Sequence, residues 1–278
     1  MRVSNQKRPP QKASATKTIA RCLLLLVLSF MAHGLAAARE LTQDDIDFRK
    51  EVYVNKDGDR LPYRLFVPLA IDKTRKYPLL IWLHNGDGRG TDNLKQLAKS
   101  NQLTTHFWIS SSVQNSFPVL LMVPQCATKE NWAEPELNQV GKSLQMTVEA
   151  LAKVQADFPV DPERIYIGGE GMGGLGVWSL LQKYPGKWAG ALIISAYDNF
   201  TDTGAIAQVP LWVFQGDRDD SVPVTMVRDM MHQLKKANAS LRYSEYHKVS
   251  REAAASAFAE PDLVPWLSSQ RRGGSAAR

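Results

Sequence analysis

Arg164-Ile-Tyr-Ile-Gly-Gly-Glu-Gly-Met-Gly-Gly-Leu-Gly-Val-Trp-Ser-Leu-Leu181 is the stretch that decides the fold. A short apolar run, Ile165 to Ile167, enters a cluster of glycines, and a segment with helical apolar spacing leaves it. A buried strand, a sharp turn and a helix are the simplest reading of that order. The turn matches the G-x-S-x-G pattern that holds a nucleophilic serine above a sheet. Here the pattern reads Gly169-Glu170-Gly171-Met172-Gly173, so glycine stands where the serine is expected.

Working outward, Glu51–Asn55 and Leu61–Val67 flank Lys56-Asp57-Gly58-Asp59 and read as a hairpin. Pro62 opens the second run, which suits an edge strand. Leu79–Leu83, Val119–Val123, Leu192–Ser195 and Leu211–Phe214 are continuous apolar runs, the mark of strands buried on both faces. Leu241–Tyr246 is the last strand. Thr91 or Asp92 can cap a helix through about Lys99. Further helices are expected over Leu137–Phe158, Gly173–Tyr184, Pro223 to about Lys236, and Asp262–Ser268. Strands alternating with helices give a mostly parallel sheet covered on both faces. The leading antiparallel hairpin and the central turn narrow this to the α/β-hydrolase fold.

The first 38 residues stand apart. Six Lys/Arg precede an apolar core, Cys22–Ala32, and Ala36-Ala37-Ala38 offers a small-residue cleavage site. This is the pattern of a secretory signal peptide, and the apolar core is too short to span a bilayer. The expected organisation is a leader (1–38), one hydrolase domain (39–270) and a disordered tail (271–278), with the mature chain exported to the periplasm or outside the cell. Removing the leader takes the net charge from +6 to 0, so nothing supports nucleic-acid binding. The mature chain keeps one cysteine, Cys126, read as a core residue. Asn199-Phe200-Thr201 and Asn238-Ala239-Ser240 match glycosylation sequons. Trp132, Trp178 and Trp188 are core residues by default and otherwise candidates to line a crevice. The four mature histidines are scattered, with no metal-ligand spacing, and no cofactor motif is present.

Five segments in order resemble the exported α/β hydrolases labelled predicted peptidases or phospholipase/carboxylesterase-like esterases, relatives of dienelactone hydrolases and polyhydroxybutyrate depolymerases. They are Leu83–Asn93, Val123–Cys126 with Trp132, Arg164–Gly174, Gln215–Pro223 and Tyr243–Arg251. The resemblance implies a small ester or peptide-like ligand, an acid at Asp219, and oxyanion-hole amides at Met172, Asn85 and Gly86. It also places Gly171 at the nucleophile position and Arg251 at the general-base position. His84 matches a histidine that shapes the loop.

Acyl transfer needs a nucleophile, a base and a carboxylate that orients the base. Glycine has no side chain to attack with, and arginine stays protonated and accepts no proton. The expectation is an inactive hydrolase that binds a ligand or partner. The alternative is an active serine-type hydrolase with displaced residues, for which Ser195, His247 and Glu170 are the candidate substitutes. Arg251 is further expected to pair with Asp219. The oligomeric state is not legible.

Overall fold

The computed structural model of the chain describes residues 43, 47–69, 71–134, 139–199 and 201–273. The expected leader lies outside the described residues, as does the end of the tail. Strands β1 (Phe48–Val54) and β2 (Arg60–Phe66) form the leading antiparallel hairpin, in register from Phe48↔Phe66 to Val54↔Arg60. Six more strands complete one sheet: β3 (Tyr77–Leu83), β4 (Leu120–Pro124), β7 (Val160–Glu170), β8 (Gly190–Ile194), β9 (Leu211–Gly216) and β10 (Leu241–Tyr246). Between β4 and β7, a separate two-stranded ribbon pairs β5 (Ala133–Glu134) with β6 (Gln139–Val140).

The sheet order is β1-β2-β4-β3-β7-β8-β9-β10, parallel from β4 to β10 and antiparallel at β1 and β2. Every residue of β3 is buried, which is why this strand reads as an unbroken apolar run. Alternate residues feed two cores. Leu79, Ile81 and Leu83 join Ile167 and Val213 on one face, while Leu80 and Trp82 join Tyr166 and Phe214 on the other. Helices α3 (Lys142–Asp157), α4 (Met172–Lys183) and α6 (Val224–Lys236) cover the first face. Helices α1 (Ser100–Ile109), α2 (Ser111–Ser116), α7 (Ala253–Phe258) and α8 (Leu263–Ser269) cover the second. A short α5 (Thr203–Ile206) follows β8. This sheet order, with helices on both faces and a tight β7–α4 turn, is the α/β-hydrolase fold.

Several boundaries depart from the sequence reading. Asp92 does not start a helix: its Oδ1 accepts the Leu94 and Lys95 amides and closes only a 3-10 turn, Lys95–Leu97. The helix expected from Leu137 begins at Lys142, because Gln139–Val140 pair in the ribbon and the Gly141 amide donates to the Trp132 carbonyl. Strand β2 is interior, so Pro62 is not at an edge; it falls one residue before the β2/β4 register, which starts at Tyr63↔Pro124. The backbone is ordered past Gln270, since the Arg272 amide donates to the Glu163 carbonyl.

Candidate functional site

The turn at the end of β7 sets the geometry. Gly171 adopts φ 55°, ψ −115°, and its amide donates to the Ile194 carbonyl at 2.9 Å. Positive φ reverses the chain sharply, and glycine reaches it without a Cβ penalty. Two residues on, a side chain at Gly173 would overlap the Leu83 carbonyl, so α4 starts hard against the end of β3. That approach brings the Asn85–Gly88 loop beside the tip of the turn.

The carboxyl ends of β3, β7, β8 and β9 open into a crevice of about 540 Å³, the expected place for a ligand in an open α/β sheet. Asn85, Glu170, Gly171, Ser195, Asp219 and Arg251 all lie on its wall. A neighbouring cavity of about 870 Å³ shares Gly171, Ser195, Ser221 and Val222 and adds Met172 and Tyr197. The two meet at the Gly171 turn.

Asp219 is 6% exposed, and its Oδ1 accepts the amides of Ser221 (2.9 Å) and Val222 (3.0 Å). Arg251 is exposed and forms no ion pair with Asp219, contrary to the sequence expectation. The Asp219 carboxylate is held by its own turn through Oδ1, as an aspartate can bond amides two and three residues on, while the Arg251 side chain stays in solvent. Ser195 sits at φ 48°, 6% exposed; its Oγ is enclosed and meets no hydrogen-bond partner. Glu170 is partly buried, and burial, reinforced by the Asp87 charge, pushes its carboxyl up to about 7; a long contact from Asn85 Nδ2 (3.5 Å) opposes this.

His247 lines neither cavity. It follows β10 on the surface, where Nδ1 lies 2.7 Å from Asp217 Oδ2. His84 is buried beneath the crevice. Its Nε2 accepts the Cys126 amide (3.0 Å), which leaves Nδ1 to donate to the Asn85 carbonyl (2.6 Å). Burial lowers its pKa to about 4, so the ring is neutral and holds the loop as a fixed strut. Among the described residues, no histidine lines either cavity.

The three amides read as oxyanion donors are not equivalent. Asn85 N–H is committed to Asn101 Oδ1 at 3.0 Å and is not free. No acceptor among the described residues meets the Gly86 or Met172 amides, and Gly171 has no side chain to cap α4. Trp132, Trp178 and Trp188 belong to the core and do not line the crevice. Lys99, Ser100 and Leu103, all on or beside α1, line it without any sequence signal having pointed to them. No group of metal-ligating side chains occurs among the described residues, and no described helix is long and apolar enough to cross a membrane.

Fold and site together define an α/β-hydrolase-fold protein with a crevice at the standard end of its sheet. Neither a family model nor a curated protein matches the chain. Among solved structures it is similar to a thermostable esterase, at 29% identity and a TM-score of 0.76, over 82% of this chain and 64% of that one. This chain therefore spans less than two thirds of that esterase's length. It also superposes on a ferulic acid esterase (15% identity, TM-score 0.62, 79% of this chain and 98% of that one). A dipeptidyl peptidase 4 of Porphyromonas gingivalis matches with 16% identity and a TM-score of 0.61, over 80% of this chain and 35% of that one. The last two likenesses bear on the fold alone.

Proposed function

We propose that this chain is an exported α/β-hydrolase-fold protein of the esterase or peptidase-like type that has lost hydrolysis and keeps its crevice for binding. The observation that carries the reading is Gly171. The tip of the turn has the backbone of a nucleophile turn, at φ 55°, and presents no hydroxyl or thiol to the crevice. An acyl-transfer reaction there has no attacking atom.

The substitutes do not fill the gap. Ser195 Oγ is enclosed, and no base lies within hydrogen-bond reach of it, so nothing removes its proton and no carbonyl reaches it. His247 is on the surface with Asp217. Glu170 lines the crevice but has no hydroxyl partner to activate. Arg251 lines the crevice where the family resemblance calls for a base, and a guanidinium donates hydrogen bonds and accepts none. The surviving donors, the Gly86 and Met172 amides, suit a carbonyl or carboxylate acceptor, which fits a small ester or peptide-like ligand that is bound and not cleaved.

Likeness to a thermostable esterase favours the second reading, an active hydrolase with displaced residues. A fluorophosphonate probe and a p-nitrophenyl ester separate the two. No serine labelled and no hydrolysis above buffer supports binding without turnover. Labelling of Ser195 or Ser100 that disappears on replacing that serine by alanine establishes the alternative.

A further inference from the structure

At the opposite end of the sheet from the Gly171 crevice lies a cavity of about 670 Å³. It opens where the chain enters β3 and β7, at Lys76 and at Asp157–Pro159, whereas the crevice lies where those strands end. The β1/β2 register builds one wall. Arg49 stands opposite Leu65 and Glu51 opposite Tyr63, and the two-residue period puts Arg49 and Glu51 on one face. The end of α3 and Phe158 form the other wall.

Two features of this cavity leave polar capacity unused within the chain. The first is the Tyr63 hydroxyl. Tyr63 is 2% exposed, so its ring is part of the core, yet among the described residues its hydroxyl meets no hydrogen-bond partner. The oxygen is not fully enclosed, and the side chain lines the cavity. A buried phenol normally finds a partner. Burial, with the charges of Glu51 and Asp157 adding, pushes its pKa up to about 12, so it remains a donor.

The second feature is charge. Arg49, Lys73 and Lys76 come from two separate segments, and among the described residues none forms an ion pair. Facing them are Glu51 and Asp157, and Asp157 is already bridged by Lys153 at 2.6 Å. The Arg49 guanidinium lies 5.2 Å from the centre of the Phe158 ring, which holds it over an aromatic surface. Val67 and Ile71 supply apolar wall beside it.

We propose that this cavity is a second binding site, distinct from the Gly171 crevice, for a small organic anion. Arg49, Lys73, Lys76 and the Tyr63 hydroxyl hold its charged end, and Phe158, Val67 and Ile71 receive its apolar part. The shared chemistry is an aryl or alkyl carboxylate or phosphate.

Calorimetric titration of the folded chain with benzoate, phenyl phosphate and neutral benzamide tests this. At least one of the two anions binds, benzamide binds about tenfold more weakly or not at all, and added salt weakens the anion. Benzoate alone marks a carboxylate site and phenyl phosphate alone a phosphate site. Tyr63→Phe leaves the melting midpoint unchanged, because the hydroxyl bonds nothing in the protein, and weakens the anion by roughly two- to tenfold. Arg49→Gln, on an exposed side chain, weakens it as well. Equal binding of benzamide, no binding of either anion, or indifference to both substitutions overturns the proposal. So does loss of binding in Leu103→Trp, which fills the Gly171 crevice and would place the anion there.

Discussion

Gly171→Ser is the most informative single substitution, because its cost can be worked from the backbone alone. A Cβ built on Gly171 meets only the Asn85 Cβ, at 3.9 Å, which is ordinary van der Waals contact. No atom has to move to admit the Cβ. What remains is conformation: φ 55°, ψ −115° is a region that L-residues avoid, and holding one there costs about 1–3 kcal/mol. Replacing glycine also removes freedom from the unfolded chain, which returns roughly 0.4–1 kcal/mol. The net expectation is a loss of about 1 kcal/mol. For a domain of this size that lowers the melting midpoint by about 2–4 °C. Thermal unfolding of the two proteins side by side is the assay, with urea unfolding as a check that the slope is unchanged. Gly173→Ala calibrates it: a Cβ there runs into the Leu83 backbone carbonyl, so that variant should lose far more stability or fail to fold. A Gly171→Ser midpoint equal to or above the parent's refutes a strained turn at this position.

The other predictions concern charge and the loop. Glu170 has a folded pKa of about 7 against 4.5, so its charged form is penalised in the native state. The penalty is absent below the unfolded pKa and complete above the folded one, so Glu170→Gln should stabilise increasingly from pH 4.5 to 7.5, by at most about 3 kcal/mol; a pH-independent gap contradicts this. His84 has a folded pKa of about 4 against 6.5, so its contribution to stability is full above pH 6.5 and is lost as pH falls toward 4. His84→Ala should cost about 2 kcal/mol or more at pH 7.5, by stranding the Cys126 amide, and should lose less at pH 4.5; a constant cost argues against a neutral strut. Arg251→Gln should change stability by no more than about 0.5 kcal/mol, since the side chain is exposed and unpaired with Asp219. A larger loss in urea unfolding would reveal a pairing with Asp219.

The parts of the fold legible in the sequence were those with a simple period. Strand β3 is apolar throughout because both faces are covered, and α3 shows its stripe from Leu144 to Val154 because one face is. Helix α1 escaped notice for a physical reason. Its buried positions include Asn101, Thr104 and Thr105, which break the apolar pattern. The two threonines bond within the helix, their Oγ1 donating to the Asn101 carbonyl, while Asn101 Oδ1 accepts the distant Asn85 amide and its Nδ2 is buried without a partner. Missing α1 meant missing Lys99, Ser100 and Leu103 in the crevice wall.

At the site, Asn85, Glu170, Gly171, Asp219 and Arg251, which come from the ordered segments, line one crevice together with Ser195 from the end of β8. Sequence order could not say which partner wins each competition. The Asp219 oxygen goes to its own turn and not to Arg251, and the Asn85 amide goes to Asn101 and not to the crevice. Those are choices between local and distant partners of similar strength, and residue identity alone does not rank them. Residues 1–38, on which the expectation of export rests, lie outside the described residues.

The Gly171 turn presents no side chain that can act as a nucleophile. Fluorophosphonate labelling of the folded chain, with the modified residue located by mass spectrometry and p-nitrophenyl acetate hydrolysis followed in parallel, tests it most directly. The expected result is no labelled serine and a hydrolysis rate equal to that of buffer. One serine labelled stoichiometrically, with hydrolysis that vanishes when that serine becomes alanine, would contradict it.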